Sequence, residues 1–519
     1  MSEHSVHGIQ GTVYCAASGL MLVDPQLAAI DRYRCRLGGQ FMGFHASSNG
    51  SGSVGLPQAV ADLLAAFLGP RFTLSLSDRE HHGRGESYHA VQAPDAVCYA
   101  ETTEEVSRIV RICADHGVAV IPFGAGTSLE GHVSALRGGV SLDLSRMTRI
   151  VAVRPEDLDV TIEAGVTRHQ LNNHLRDTGL FFPVDPGGAS TLGGMAATRA
   201  SGTNAVRYGT MRENVVSLTA VMADGSVVVT GGRARKSSAG YDLTRLIVGS
   251  EGTLGIITEL TLRLYGIPEK VSAAICPFTT VDEAIATVVG IIQCGIPIAR
   301  VELMDARTIQ ATNRYSGLSY KETPTLFMEF HGSTAGVAEQ VALTRELAEQ
   351  NGALDFESAD DPDKRAVLWN ARHNVHYAVQ AMRPQAKVWS TDVCVPISSL
   401  GPCIAETQKD IASASFFIST VGHVGDGNFH LGLVIDPNNP DELAEAEALN
   451  SRLVKRAIAL GGTCTGEHGV GTGKMKYMQL EHGRGVEVMR AIKKALDPKD
   501  ILNPGKIIPE LRSGGSPEN

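Results

Sequence analysis

The chain has 519 residues, 43% hydrophobic and 20% charged, which supplies a large buried core and excludes a disordered, collagen-like or disulfide-scaffold protein. Lys and Arg number 46 against 56 Asp and Glu, a net charge of −10, the opposite of the balance a general nucleic-acid binder carries. The 56 glycines point to tight turns and to backbone that approaches a ligand closely, and the nine scattered cysteines, without a Cys-x-x-Cys pair, read as free thiols of a reducing compartment.

In chain order, residues 1 to about 70 carry no motif. They hold no transmembrane run and no secretory signal, and only Arg32, Arg34 and Arg36 ahead of the Ser/Gly-rich Ser47 to Gly55 admit a poor transit peptide. A leader or surface segment is expected there. Thr102-Thr103-Glu104-Glu105 has capping-box spacing and opens a helix with Val106, Ile109, Val110 and Cys113 on one face, stopping at Gly117. Strand-like runs follow at Val118 to Pro122, Val140 to Leu144, Val160 to Ala164, Ser217 to Met222, Val227 to Thr230 and Gly255 to Leu264, with a hairpin expected around Asp224-Gly225. Ile267-Pro268 marks a domain boundary. Beyond it, Thr280-Val281-Asp282-Glu283 opens a helix to Cys294, and further helices are expected at Ala335 to Gln350 and Asp363 to Met382, alternating with strands Thr325 to Phe330 and Phe416 to Val421. This pattern predicts an α+β fold with an antiparallel sheet in the second half. The polar tail Leu511 to Asn519 is expected to fray.

Three glycine clusters stand out in the first half. Pro122-Phe123-Gly124-Ala125-Gly126-Thr127-Ser128 follows a strand and is neither a Walker loop nor a Rossmann turn, yet its backbone N–H groups and hydroxyls suit an anion. Pro186 to Ser201, with Gly193 and Gly194, is a run of small residues that lets a flat ligand lie against the backbone. Gly249-Ser250-Glu251-Gly252 leads to Ile256. A dinucleotide stretched across all three explains them better than ordinary turns.

The second half holds Gly422-His423-Val424-Gly425-Asp426-Gly427-Asn428-Phe429-His430. With Asp426-Gly427 as a two-residue loop, His423 and His430 are expected as direct cross-strand neighbours ~5 Å apart, suited to one divalent metal; two hydrogen-bonded structural histidines are the alternative. Glu467 in Gly466-Glu467-His468-Gly469 offers a third ligand, leaving coordination positions open to substrate, and His468 remains as a general base. Arg372, on a helix, is the candidate carboxylate anchor, an exposed ion pair being the bland reading.

These motifs, in this order and ending in Asn503-Pro504-Gly505-Lys506, resemble the FAD-linked oxidases of the vanillyl-alcohol-oxidase type. Ser390-Thr391-Asp392-Val393-Cys394-Val395-Pro396 and Gly462 to Gly469 are most similar to the D-lactate dehydrogenase (cytochrome) branch. The resemblance implies a two-domain flavoprotein: an FAD-binding domain over 71–268, and a substrate-cap and metal domain over 269–510 whose last segment returns to the flavin. It implies non-covalent FAD, since no His occupies Gly124–Ser128. The cofactor would lie on Pro122, Gly124, Ala125, Gly126, Thr127, Ser128, Pro186, Gly193, Gly194, Ser201, Glu251, Ile256 and Asn503. His423, His430 and Glu467 would hold the metal, Zn or Mn, with His468 as base and Arg372 on the substrate carboxylate. The implied reaction is oxidation of a short D-2-hydroxy acid, D-lactate to pyruvate, with electrons leaving to cytochrome c, a quinone or an electron-transfer flavoprotein. D-2-hydroxyglutarate or glycolate oxidation is the alternative; the D-2-hydroxyglutarate branch carries Lys where this chain has Ser390. A metal-dependent hydrolase without redox chemistry is the rival class. A mitochondrial location is expected for a eukaryotic source, a cytoplasmic or inner-membrane-associated one for a bacterial source, and a homodimer stays open.

Overall fold

The computed structural model describes residues 55–86 and 88–510, so the expectations for residues 1–54 and for the tail from 511 lie outside the described residues. The first lobe is built on two sheets. Strands Ala96–Tyr99 and Val120–Phe123 both run parallel to Val140–Asp143, which requires the crossover helix Thr103–His116 between them. Val106, Ile109, Val110 and Cys113 are fully buried along that helix, each adding about 1.5–3 kcal/mol of hydrophobic stabilisation. Thr102 accepts from the Glu105 N–H and Gly117 stops the helix in the left-handed conformation. The capping box is only half formed, because the Glu105 carboxylate instead takes Arg71 and the Glu101 N–H. The expected surface character of residues up to 70 is corrected here: helix Gln58–Leu68 buries Val60, Leu64 and Leu68 in the same core.

The second sheet of this lobe is antiparallel, in the order Ile150–Arg154, Asp159–Glu163, Ile256–Arg263, Val215–Val221, Val227–Thr230. Its last pair is the expected hairpin, closed at Gly225 with φ 78°.

The second lobe is an eight-stranded antiparallel sheet, with Lys270–Pro277, Thr325–Gly332, Ile298–Met304, Ile418–Gly422 and Asn428–Ile435 as successive neighbours. Alternate residues of these strands face two apolar layers. Helices Val281–Gln293, Thr334–Gln350, Leu400–Ile411 and Pro440–Ala459 cover one face, and Ala306–Ser316, Pro362–His373 and Val375–Ala381 cover the other. The last two replace the single helix expected over 363–382, which breaks at Asn374 (ψ 3°). The chain then returns to the first lobe. Ile501 and Leu502 are buried in its core, Val120 N–H donates to Ile501 O at 2.8 Å, and Asn503 N–H donates to Val120 O at 2.9 Å. Among the described residues no helix is long and apolar enough to cross a membrane.

Candidate active site

The two-histidine hairpin forms with a different register. Val421, not His423, pairs with His430, and the expected cross-strand pairing is corrected by two residues. The cause is the turn: His423 O accepts from Asp426 N–H (3.0 Å) and Asn428 N–H (3.3 Å), so His423 to Gly427 forms a longer loop. Gly427 sits there at φ 78°, where a Cβ would stand 2.0 Å from Val395 O. The two imidazoles still meet edge to face, with centroids 5.4 Å apart.

Each ring is fixed from behind. His423 Nδ1 lies 2.7 Å from Glu302 Oε1, and His430 Nδ1 lies 2.9 Å from Thr391 O. Both Nε2 atoms then face Glu467 Oε1, each at 3.3 Å. Ligands bonded to one zinc-sized ion at ~2.1 Å are separated by roughly 3.0–3.4 Å, and oriented Nδ1 groups are the usual support of metal-binding histidines. This donor set fits a divalent metal. Burial alone would raise the Glu467 carboxyl, but His423 and His430 beside it hold it well below the usual carboxylate range.

His468 stacks on His430 with centroids 5.1 Å apart and planes 11° from parallel. Its Nε2 is 4.0 Å from Glu467 Oε1 and its buried Nδ1 has no partner. Burial, outweighing the pull of Asp392 and helped by His430, pushes this imidazole down to about 4. It is therefore neutral near pH 7, with a ring nitrogen able to accept a hydrogen bond from a substrate hydroxyl.

Arg372 is brought to the same place but is not free. Its Nε and Nη2 donate to Glu302 Oε2 at 2.9 and 2.7 Å. The expected open guanidinium is corrected to one whose inner edge is taken. Glu302, fully buried, carries no local signal in the sequence. Burial would raise its carboxyl, yet His423 and Arg372 hold it below the usual range. It reads locally as an ordinary strand residue, and its partners lie 121 and 70 positions away.

The three glycine clusters converge. Thr127 Oγ1 and Ser190 Oγ are 2.9 Å apart, a Cβ on Gly124 would fall 2.4 Å from Thr191 Oγ1, and one on Gly252 would fall 2.3 Å from Pro122. Ala125 is exposed, and Gly126, Thr127, Ser128, Pro186, Gly194 and Ser201 are half-buried, along this seam. Three expected contacts have a different physical basis. Gly193 lies in the short helix Leu192–Thr198, and its missing side chain admits Ala164, 2.5 Å from where a Cβ would be. Ile256 is buried in the core. The Glu251 carboxylate accepts from Val470 and Gly471 N–H at 2.6 and 2.8 Å, so it ties the cradle to the loop that carries Glu467 and His468.

Asn503 closes this cleft. Its Nδ2 donates to Glu251 O (2.8 Å) and His132 O (3.2 Å), leaving Oδ1 buried and unpaired, as are Ser250 Oγ and His132 Nδ1. Buried polar atoms are nearly always satisfied, so unpaired atoms gathered beside a glycine cradle fit a polar cofactor such as FAD. His132, the neighbour of Glu251, has no flanking motif beyond Gly131 to mark it in the sequence.

Comparison with known proteins agrees with this architecture. Residues 94–231 match the family described as FAD binding domain, and residues 267–507 match FAD linked oxidases, C-terminal domain. The chain is 53% identical to a probable mitochondrial D-lactate dehydrogenase of Danio rerio, covering 83% of this chain and 87% of the relative. It is 46% identical to a mitochondrial D-lactate dehydrogenase [cytochrome] of Arabidopsis thaliana, over 88% and 81%. Among solved structures, p-cresol methylhydroxylase with substrate bound superimposes with a TM-score of 0.73 at 17% identity, over 88% of this chain and 98% of that one. The fold, the cradle and the sequence relatives converge on one statement: the chain belongs to the FAD-linked oxidases, in the branch of the cytochrome-type D-lactate dehydrogenases.

Proposed function

We propose that this protein oxidises a short D-2-hydroxy acid, D-lactate to pyruvate, using non-covalent FAD and a divalent metal, and passes the electrons to a carrier such as cytochrome c. The observation that carries the reading is the convergence of His423 Nε2 and His430 Nε2 on Glu467 Oε1 at 3.3 Å, with the neutral imidazole of His468 beside them. When bound, FAD supplies a two-electron acceptor and the metal supplies a Lewis acid toward the substrate hydroxyl. His423, His430 and Glu467 hold the metal; the cradle of Gly124 to Ser128, Gly194, Ser201 and the closing Asn503 hold FAD. His468 Nε2 takes the hydroxyl proton, a role whose loss typically costs ~10²–10⁴-fold in rate. Arg372 is steadied by Glu302 and offers Nη1 to the substrate carboxylate.

The D-2-hydroxyglutarate branch carries Lys where this chain has Ser390, so a second, distal carboxylate would lack that partner here, at a cost. With purified holoenzyme and a reducible dye, D-lactate should therefore turn over faster than D-2-hydroxyglutarate. Equal or faster turnover of the diacid would overturn the substrate assignment. The mitochondrial relatives support a mitochondrial location if the source is eukaryotic.

A further inference from the structure

The loop Thr465 to His468 carries a metal ligand and the base, yet it has no secondary structure to aim them. What it has is Asp392. One carboxylate oxygen, Oδ2, accepts from Thr465 Oγ1 at 2.6 Å, Gly466 N–H at 2.7 Å, and the N–H groups of Glu467 and His468 at 2.9 Å. Three successive backbone donors wrapped on one anion form a nest, which fixes the backbone conformation and hence where the two side chains leave it. The other oxygen, Oδ1, accepts from Asn428 Nδ2 at 2.7 Å, two residues before His430. Asp392 is fully buried, and Lys474 Nζ donates to its backbone carbonyl at 2.7 Å and to Cys464 O at 2.8 Å.

We infer that Asp392 is a positioning residue that sets Glu467 and His468 against the His423–His430 pair, so that one carboxylate governs both metal affinity and proton abstraction. Asp392 does not act as a ligand. Its oxygens lie near His430 and His468, but the five donors just named occupy them, and His430 Nε2 faces Glu467 instead. The inference rests on the reading of His423, His430 and Glu467 as metal ligands.

An asparagine cannot replace this carboxylate. With its oxygen in the nest, its amide nitrogen meets Asn428 Nδ2, donor against donor; reversed, it meets four donors. Asn428 cannot turn over freely, because Nδ2 also donates to Val393 O at 2.8 Å.

The test uses holoenzyme with its flavin and titrates a chelator against bound Mn²⁺ or Zn²⁺. Asp392→Asn should weaken metal binding by roughly 10–100-fold, the usual effect of losing a support behind a metal ligand, while the flavin absorbance is kept. At saturating metal, kcat should stay depressed with KM little changed, because His468 remains displaced. The milder Thr465→Val removes one of the four donors and serves if Asp392→Asn does not fold; it should weaken metal binding several-fold at an unchanged flavin content. Parental metal affinity in Asp392→Asn, or in Thr465→Val when the first variant is lost, overturns the positioning role. A parent protein that binds no metal overturns instead the reading on which it rests.

Discussion

Glu302 shows how one buried side chain can serve two partners with different tasks. It holds His423 in the tautomer that presents Nε2 and it fixes one edge of Arg372. A buried carboxylate paired with a guanidinium is poor evidence for stability as such, but breaking the pair leaves the Arg372 charge uncompensated, worth about 3–5 kcal/mol. Glu302→Gln is therefore expected to destabilise the fold by about that amount, to weaken metal binding by roughly 10–100-fold, and to raise KM as Arg372 loses its support. Thermal melts and chelator titration of the holoenzyme check this, and a variant with parental metal affinity contradicts it. Glu130 gives a separate, pH-dependent expectation. Burial, opposed by Lys474 and His132, pushes its carboxyl up to about 7 from an ordinary 4.5. The folded state thus keeps a proton that the unfolded state has lost, so stability falls as pH rises from about 4.5 to 7. The slope is at most about 1.4 kcal/mol per pH unit. Glu130→Gln, which mimics the protonated form, should flatten that decline in a urea series across this window; an unchanged slope contradicts the assignment.

At the scale of elements, the loop from Glu467 to Lys474 joins the two lobes. Glu251 holds Val470 and Gly471, and Glu130 O accepts from Thr472 N–H at 2.7 Å. The hairpin turn is the other constrained element. Gly427→Ala places a side chain at positive φ, about 1–2 kcal/mol unfavourable, and drives its Cβ into Val395 O. It should lower both stability and metal occupancy while the flavin stays bound, as metal analysis and the absorbance spectrum will report; full metal occupancy contradicts this account of the turn. The turn also marks what the sequence could convey. That Gly422 to His430 turns back on itself was legible, because glycine and aspartate announce a turn locally. Its length was not, since the decisive hydrogen bonds to His423 O are indifferent to side-chain identity.

For the whole molecule, the glycine clusters were legible because close backbone approach demands glycine wherever it occurs. Their meeting at Thr127–Ser190 and Gly252–Pro122 was expected from their number. Part of that smallness serves protein packing instead, as Gly193 against Ala164 shows. The supporting residues Glu302, Asp392 and His132 were not legible as such. Each acts across a long sequence separation, and nothing adjacent distinguishes a strand carboxylate that faces a cation from one that faces water. The architecture also separates the two candidate sites by lobe, with the glycine cradle in the first and His423 and His430 in the second. Losing the metal should therefore spare the flavin.

That separation permits one direct measurement: the rate at which D-lactate bleaches the visible flavin band under anaerobic conditions, before and after removal of the metal by a chelator. Fast bleaching of the holoenzyme is expected, with at least a tenfold slower reaction in the stripped protein with its FAD still bound, recovery on adding Mn²⁺ or Zn²⁺, and the slow rate without recovery in His423→Ala. A stripped protein that bleaches at the holoenzyme rate, or a purified protein that holds no FAD, would contradict that expectation.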